Sequence, residues 1–514
     1  MDNPWASLLS DMPGYSNQTT VGLDDLLSNI RLAKDNDKVL GIYLRGGSLQ
    51  MGAASAKAIR DALLDFKESG KFVVAYADSY GQMNYYLASV ADKIFLNATG
   101  SVAWDGLSAQ KMYYTRLLDK IGVEMQILKV GTFKSAVEPY FRTSMSDADR
   151  AQTKQYIDGI WSEMTGAVAA SRHLTAEQLN AYADECMSLQ PEEKYVDYGM
   201  VDTLVYVQDM DSVLRTYAGT KEYKTISTSR MATVKRASIK ASDEIAVLYA
   251  DGQIYDDSGD GIVGTDMVKT IKKIAKDDNV KAVVLRVNSP GGSADASEQI
   301  WHAVKTLQAK GLPVVVSMGD YAASGGYYIS CEADYIYAEP TTLTGSIGIF
   351  GTVPNVGKLR EKMGIDIDGV GTNRHSDMQV NMVYKGMNPE ERQLMQSMVE
   401  RGYDLFTRRC AEGRGMSQDA IKAIGEGRVW LGKDAVGIGL VDELGNINDA
   451  IGKAAELAEL GEYAITYYPE VEDPMESLLS MFENTTPEER LVLKVREFVS
   501  KPRVMALMPN VTIH

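Results

Sequence analysis

The sequence predicts an α/β protein built from two tandem copies of one domain. Short β-branched runs alternate with stretches whose apolar residues recur at helical spacing, which indicates βαβ units and a largely parallel sheet. At 514 residues the chain is long for one core and has room for two domains of ordinary size. The same residue pattern also recurs after about 240 residues, a period far longer than that of a solenoid repeat.

Matching segments follow one another in the same order in both halves. We attribute agreement between the copies to shared packing, and disagreement at polar positions to a division of function between them. The clearest matches are Gly22-Leu23-Asp24 with Gly264-Thr265-Asp266, Ile42–Arg45 with Val283–Arg286, Tyr85-Tyr86 with Tyr327-Tyr328, and Gly199–Asp202 with Gly439–Asp442.

Each copy is predicted to contain a parallel sheet followed by a long helical stretch. The predicted strands are Val39–Arg45 and Phe72–Ala77 in the first copy, and Glu244–Tyr249, Val280–Val287 and Pro313–Met318 in the second. Helices are predicted over Asp266–Lys276, Ser297–Ala309, Ser146–Cys186 and Pro389–Glu412, and a turn over Gly319–Ala323. Ser146 and Asp149 form the expected capping pair of the third helix.

The predicted domain boundaries follow the repeat. Residues 1–20 are an N-terminal extension, 21–220 the first copy and 243–468 the second copy. Residues 221–242 carry mixed charge and small polar residues, which is typical of a linker. Residues 469–514 have no counterpart in the first copy, and we interpret them as a tail for assembly or docking.

Composition argues against several classes of function. The net charge of −17 disfavours a nucleic-acid partner, and no polybasic cluster is present to bind anionic lipid. The sequence has no apolar run of the ~18–20 residues that a membrane helix needs, so membrane contact would require an anchor that this sequence lacks. Three widely spaced cysteines predict neither a disulfide framework nor a zinc site, and we expect no metal or cofactor.

The second copy has glycines where an oxyanion could be held. Asn288-Ser289-Pro290-Gly291-Gly292-Ser293 follows a buried strand, and the first copy has no Pro-Gly-Gly there. Gly292 would offer an unobstructed backbone N–H at the start of a helix, although Pro-Gly-Gly can also be a simple turn.

A candidate nucleophile lies one βα unit later. Ser324 sits in Ala322–Tyr327 at a strand-to-helix turn, and the N–H of Gly325 could join the same oxyanion hole. The first copy has no hydroxyl at this place. A helix-capping serine is the simpler interpretation of Ser324 alone, but its co-occurrence with Pro-Gly-Gly favours a nucleophile.

A serine nucleophile needs a base, and the chain offers two kinds. Among the four histidines, His375 is the one credible triad member, but it lies in a charged stretch typical of solvated side chains. Lys134, in Val130–Pro139 of the first copy, is flanked by small and apolar residues that could lower its pKa by burial. The second copy has Ser376 at the matching position, so lysine and serine are each kept in one copy only.

These motifs resemble bacterial signal peptide peptidase A (protease IV) in its long duplicated form. The resemblance covers about residues 21–445 and rests on Phe133–Pro139, Asn288–Ser293, Ala322–Tyr327 and Leu343–Gly348. It implies a Clp protease/crotonase-like fold and a Ser–Lys dyad. Ser324 would be the nucleophile, Lys134 the general base, Gly292 and Gly325 the oxyanion hole, and Ser346 the hydroxyl that orients the lysine.

The expected activity is a serine endopeptidase for apolar peptides, with cleaved signal peptides as the substrates that the resemblance implies. It also implies a homotetramer at the periplasmic side of the bacterial inner membrane. Two alternatives remain open: a crotonase-type acyl-CoA hydratase or isomerase, and a peptide-binding scaffold without catalysis. Sequence leaves open whether Lys134 and Ser324 meet within one chain or across subunits.

Overall fold

The computed structural model describes residues 22–46, 49, 51–231, 241–469, 503–507 and 512–513. The predicted N-terminal extension, Gly47-Ser48 of the first copy, and parts of the linker and tail lie outside these residues.

The strands range in length from 2 to 10 residues. In chain order they are β1 (Gly41–Arg45), β2 (Phe72–Ala77), β3 (Lys93–Leu96), β4 (Ala109–Gln110), β5 (Glu124–Lys129), β6 (Thr203–Leu204), β7 (Glu244–Asp251), β8 (Ile254–Tyr255), β9 (Ile262–Val263), β10 (Val280–Ser289), β11 (Gly291–Ser293), β12 (Val314–Ala323), β13 (Tyr335–Ala338), β14 (Leu343–Gly345), β15 (Phe350–Asn355), β16 (Val429–Leu431), β17 (Glu443–Leu444), β18 (Ala464–Tyr468), β19 (Arg503–Leu507) and β20 (Thr512–Ile513).

Helices alternate with the strands. They are α1 (Leu23–Asp35), α2 (Ala53–Lys67), α3 (Gln82–Ala88), α4 (Thr115–Ile121), α5 (Asp147–Arg172), α6 (Ala176–Asp184), α7 (Glu192–Asp197), α8 (Met210–Ala218), α9 (Thr228–Met231), α10 (Gly264–Ile274), α11 (Ala294–Ala309), α12 (Gly325–Tyr328), α13 (Gly357–Lys362), α14 (Met378–Tyr384), α15 (Pro389–Arg414), α16 (Gln418–Ile424), α17 (Gly432–Gly437) and α18 (Ile447–Leu457). Single 3₁₀ turns occur at Glu138–Tyr140, Met187–Leu189 and Val207–Asp209.

The chain divides into two compact units. One comprises Met1–Ser108 and Asp158–Ser238, and the other comprises Ala109–Ile157 and Ile239–His514. The first unit contains a parallel sheet in the order β1-β2-β3-β6. Its interior is aromatic as well as aliphatic, because Tyr76 and Phe95 pack with Val74 from neighbouring strands.

The second unit contains two sheets. The larger sheet runs β16-β14-β12-β10-β7-β18, with β13 and β17 beside β12, and only the β14–β16 pair is antiparallel. Its central strands β10 and β12 are buried almost throughout, as expected for parallel strands covered on both faces. The smaller sheet runs β5-β15-β19-β11-β8-β9.

Residues 109–157 belong to different groups by sequence and by packing. The repeat places them in the first copy, whereas they pack within the second unit, where β5 pairs along the whole of β15. The two compact units are defined by packing, whereas the two copies are defined by the sequence repeat. The units therefore do not test the repeat boundaries, which remain a prediction. The consequence is that Lys134 belongs to the same compact unit as Ser324.

The repeat extends to hydrogen bonds that are internal to each unit. Buried tyrosines, and arginines that are partly buried, close the same loops at matching positions in both units. The pairs are Tyr85 Oη to the Met200 carbonyl and Tyr327 Oη to the Leu440 carbonyl (both 2.8 Å), and Arg172 to Asp202 and Arg414 to Asp442.

The predicted turn Gly319–Ala323 was wrong, because β12 continues through Ala323. Tyr321, Ala322 and Ala323 pair with β14, and this pairing keeps the chain extended up to Ser324. The single helix predicted for Ser146–Cys186 is also interrupted, since His173 adopts a positive φ of 56° between α5 and α6. The predicted cap is confirmed: Ser146 Oγ accepts a hydrogen bond of 3.1 Å from the Asp149 N–H.

Candidate active site

Ser324 lies between the end of β12 and the start of α12. It is fully buried and has φ 58° and ψ −116°, a backbone conformation that non-glycine residues rarely adopt. Its N–H donates to the Gly345 carbonyl at 2.8 Å, which ties the turn to β14. Strain of this kind at a buried hydroxyl is typical of functional sites.

The Lys134 amine meets Ser324 in the same chain. Nζ lies 2.7 Å from Ser324 Oγ, and it lies 3.0 Å from the carbonyl oxygen and 3.1 Å from Oγ of Ser346. Lys134 is fully buried, and burial lowers the pKa of its ammonium group well below the usual range. The amine is therefore suited to accept a proton from Ser324.

Ser346 is held as firmly as Ser324. It is fully buried, has a positive φ of 51°, and donates its N–H to the Arg428 carbonyl at 2.7 Å. This backbone geometry presents both the carbonyl and the hydroxyl of one residue to the Lys134 amine. The structure thus brings together all three predicted side chains.

Glycines form the walls of the lysine pocket, and sequence analysis did not identify them. A Cβ at Gly427 would lie 2.6 Å from Lys134 Cβ, and a Cβ at Gly348 would lie 3.2 Å from Lys134 Cδ. A Cβ at Gly131, which has φ 102°, would overlap the backbone of Glu426, whose carbonyl accepts a hydrogen bond from the Phe133 N–H. Close backbone packing therefore excludes water from the lysine stem.

A buried polar network supports the lysine segment from α5. Gln152 Nε2 lies 3.0 Å from both the Phe133 carbonyl and Ser135 Oγ, and its Oε1 accepts from the Val429 N–H at 3.3 Å. Asp149, one turn earlier, forms a buried ion pair with Lys111 at 2.5 Å. Sequence analysis missed Gln152 because a polar residue on an amphipathic helix normally indicates the solvated face.

The two predicted oxyanion glycines are also adjacent. A Cβ at Gly325 would lie 3.1 Å from the Gly292 backbone nitrogen and 2.7 Å from Ser297 Oγ. A Cβ at Gly292 would lie only 2.0 Å from the Ile254 carbonyl oxygen, so no side chain fits. The turn is braced by Ser289 Oγ, which accepts from the Gly291 N–H at 3.1 Å.

His375 lies elsewhere. Its Nε2 is 3.4 Å from Glu390, and its Nδ1 is 3.9 Å from Glu391, at the start of α15. The contact to Ser324 Oγ comes from Lys134. Within the described ranges, no group of three or more His, Cys, Asp or Glu side chains is arranged to hold a metal ion.

Comparison with known proteins identifies the family of this chain. A family model described as peptidase family S49 matches residues 65–221 and again residues 306–461. The chain belongs to peptidase family S49. The first S49 match contains Lys134, and the second contains Ser324 and Ser346. Two S49 regions in one chain confirm the predicted tandem duplication, which is the arrangement of the long form of signal peptide peptidase A, or protease IV.

Several S49 relatives match most of the chain. Protease 4 of Salmonella typhi is 41% identical over 460 residues, which cover 87% of this chain and 74% of the relative. Protease 4 of Haemophilus influenzae is 37% identical over 477 residues, covering 88% and 76%. The chloroplastic serine protease SPPA of Arabidopsis thaliana is 29% identical over 452 residues, covering 86% and 66%. These similarities support a serine protease. None of the helices in the described residues has the length and apolarity to cross a bilayer.

Proposed function

We propose that this chain is an endopeptidase that uses Ser324 as nucleophile and Lys134 as general base. The observation that carries the proposal is the 2.7 Å contact between Lys134 Nζ and Ser324 Oγ in a fully buried pocket. A neutral amine has two N–H donors and one lone pair. The carbonyl and hydroxyl oxygens of Ser346 can accept the two donors, which leaves the lone pair for the Ser324 proton.

The reaction would be acyl transfer in two halves. Lys134 takes the Ser324 proton as Oγ attacks the scissile carbonyl carbon, and the N–H groups of Gly292 and Gly325 stabilise the oxyanion. The lysine ammonium then protonates the leaving amine, and an acyl-enzyme remains. Water, deprotonated by the same amine, hydrolyses that ester and restores the free serine. One oxyanion donor typically contributes about 3–4 kcal/mol to the barrier reduction.

The architecture supports a Clp protease/crotonase-like fold. In the second unit, the parallel strands β10 and β12 lead to the two candidate groups: β10 is followed by β11, which contains Gly292, and β12 ends directly before Ser324. A helix follows in each case. A crotonase-type hydratase would also use paired backbone N–H groups, but it would leave the buried lysine–serine contact without a role. The geometry therefore favours peptide hydrolysis over the acyl-CoA alternative and over a scaffold.

The proposed substrates are extended apolar peptides, in particular signal peptides left after secretion. The proposal includes a homotetramer at the periplasmic side of the bacterial inner membrane. These finer assignments rest on the resemblance to protease IV. A comparison of cleavage rates for apolar signal-peptide sequences and for acidic peptides of equal length tests the substrate class.

Covalent labelling tests the nucleophile. A fluorophosphonate should modify Ser324, and Ser324→Ala should lose both labelling and peptide hydrolysis. Ser330→Ala is the matched control, because Ser330 is also fully buried and lies two residues after the end of α12, where its Oγ donates to the Gly326 carbonyl. Peptide hydrolysis by purified Ser324→Ala at the wild-type rate would refute the proposal, as would labelling at another residue.

A further inference from the structure

An ion pair in the second unit lies almost completely out of water. Lys111 Nζ is 2.5 Å from Oδ1 and 2.6 Å from Oδ2 of Asp149, so one ammonium group binds both carboxylate oxygens. The exposed fractions of the two side chains are 3% and 0%. Taking two charges out of water costs free energy that their attraction often fails to recover, so a pair buried this deeply is weak evidence of added stability. Its other contacts indicate a different role.

The Asp149 carboxylate also contacts the Gln152 side chain. Asp149 Oδ1 lies 3.2 Å from Gln152 Nε2, and the two residues are three positions apart on α5, which places them on one face of the helix. The same Nε2 contacts a carbonyl and a hydroxyl on either side of Lys134. At the other end of the amide, Oε1 accepts from the Val429 N–H. The carboxylate therefore completes a set of acceptors around the nitrogen of one buried amide.

These partners fix the direction in which the Gln152 amide faces. Its nitrogen faces oxygens, and its oxygen faces an N–H group. Turning the amide over would place its oxygen against the Asp149 carboxylate and the Phe133 carbonyl, which offer no proton, and its nitrogen against the Val429 N–H. A buried amide without partners is costly, so the carboxylate favours the orientation that contacts the lysine segment.

A second buried contact joins the start of α5 to the same segment. Glu138, four residues after Lys134, is 2% exposed and accepts from the Ser146 N–H at 3.0 Å and from Ser146 Oγ at 2.6 Å. Ser146 in turn caps α5 through the Asp149 N–H. Asp149 therefore lies between the two contacts that hold α5 against the lysine segment.

Lys111 supplies the charge that allows a carboxylate to stay in this position. It directly follows β4 and reaches Asp149 from outside α5. Without this ammonium group, Asp149 would be an uncompensated charge with no exposed side-chain surface, which strongly destabilises a folded protein. The ion pair thus connects the chain beside β4 to the lysine segment by way of Gln152.

We propose that Lys111 and Asp149 are positioning residues for the general base: the ion pair holds the Gln152 amide, and the amide holds Lys134 against Ser324. This inference rests on the proposed function, since it takes Lys134 as the base. Small movements are sufficient for an effect, because a misplacement of about 1 Å in a catalytic group can cost about 10²-fold in rate.

The experiment compares two double variants that both remove the ion pair. The first, Lys111→Met/Asp149→Asn, keeps an oxygen beside Gln152 Nε2, whereas the second, Lys111→Met/Asp149→Leu, offers no acceptor there. Neither variant buries a charge at this position, so both should melt at or above the wild-type temperature. We expect kcat for an apolar peptide to stay within about twofold of wild type in the first and to fall about tenfold in the second, with KM unchanged in both.

A mutant cycle with Gln152→Ala tests whether the ion pair acts through the amide. Adding Gln152→Ala to the second double variant should lower kcat no further, because both changes remove the same support. The midpoint of the pH–rate profile should shift in the same direction in Gln152→Ala and in the second double variant, and it should stay at the wild-type value in the first.

Arg172→Met/Asp202→Leu is the control. It removes an ion pair of the first unit whose side chains are 10% and 15% exposed. This control should keep the wild-type kcat and pH midpoint whatever its melting temperature.

Equal kcat values in the two double variants would overturn the inference, and so would a triple variant whose loss is the product of the two separate losses. A lower melting temperature with wild-type kcat and pH midpoint would assign the pair a structural role only and would also overturn it. If the second double variant does not fold, Lys111→Met/Asp149→Ala makes the same comparison with a smaller side chain. Fluorophosphonate labelling separates the two proposals. Labelling at Ser324 with equal rates in the double variants retains the proposed function without the positioning pair, whereas a wild-type protein that does not label at Ser324 refutes the proposed function itself.

Discussion

Gly427 lies so close to Lys134 that a methyl group on its Cα would come within 2.6 Å of Lys134 Cβ. The contact also involves the backbone, because the same methyl group would lie 2.7 Å from the Lys134 nitrogen and 2.8 Å from its Cα. The position of the lysine is therefore set by a residue almost three hundred positions later in the chain.

Gly427→Ala should displace Lys134 from Ser324. A shift of about 1 Å in a catalytic group can cost about 10²-fold in rate, so we expect kcat/KM to fall by about that factor. Gly311→Ala is the matched control. Gly311 has a similar φ of 82°, against 78° for Gly427, but a Cβ there would meet nothing within 4 Å. The control should lose about 1–2 kcal/mol of stability from backbone strain and keep its activity. Equal activity losses in both variants would contradict a specific contact with the lysine.

The rate of peptide hydrolysis should increase with pH. Burial lowers the pKa of Lys134, and the neutral amine is the active form, so kcat/KM should rise as pH passes through that lowered pKa. The rise should be complete well below pH 10.5, the ordinary value for lysine. Measuring kcat/KM between pH 5 and pH 10 for wild type and for the Ser330→Ala control tests this. A value of kcat/KM that is still rising steeply at pH 10 would contradict a buried base.

Replacing Lys134 should increase stability while it removes activity. Because the folded-state pKa lies below the unfolded-state pKa, the unfolded chain binds more protons between the two values, and wild-type stability rises with pH in that window. Each unit of separation corresponds to about 1.4 kcal/mol. Lys134→Met has no ammonium group that must lose its proton on folding. The variant should therefore be more stable than wild type at neutral pH, and the difference in stability should shrink toward pH 10. Urea unfolding at three pH values measures it; a variant that is less stable at every pH would refute this account.

Ser346→Ala should weaken the base without abolishing it. The substitution removes the hydroxyl 3.1 Å from Lys134 Nζ but keeps the carbonyl at 3.0 Å. Loss of one hydrogen bond of about 0.5–1.5 kcal/mol predicts a decrease in kcat of about twofold to thirteenfold, with KM unchanged. A loss as large as that of Lys134→Ala would assign Ser346 a more direct part in the chemistry than orientation.

Gln152 is predicted to act as a positioning residue. Gln152→Ala removes the donors to Phe133 and Ser135 on either side of the lysine, so kcat should fall about tenfold and the midpoint of the pH–rate profile should shift. Gln155→Ala is the control, since Gln155 lies on the same helix but bonds Asp434 and Arg428. A stability loss with an unchanged pH–rate profile would show that Gln152 has only a structural role.

Sequence analysis singled out the candidate site residues that are marked by the residues next to them in the chain. Ser324, Gly292 and Lys134 stand out because small residues surround each of them and because the other copy lacks the same residue. The boundaries of β2 were predicted without error, since a continuous β-branched and aromatic run ends at a turn.

The parts that sequence could not predict depend on contacts between distant segments. The continuation of β12 to Ala323 requires pairing with β14, and Gln152 is buried only because Val429 and the lysine segment cover it. Gly427 could not be distinguished from other glycines before its neighbour was known. The placement of β19 between β11 and β15 requires a match of two exposed edges, which no local pattern in residues 503–507 indicates.

The grouping of residues 109–157 with the second unit limits how the gene could be divided. A product beginning at residue 239 would retain Ser324 and the two candidate oxyanion glycines but would lack Lys134, the proposed base. Supplying residues 109–157 as a separate polypeptide could restore hydrolysis, in the manner of a split reporter enzyme. The two copies therefore cannot be separated at the repeat boundary without separating Lys134 from Ser324.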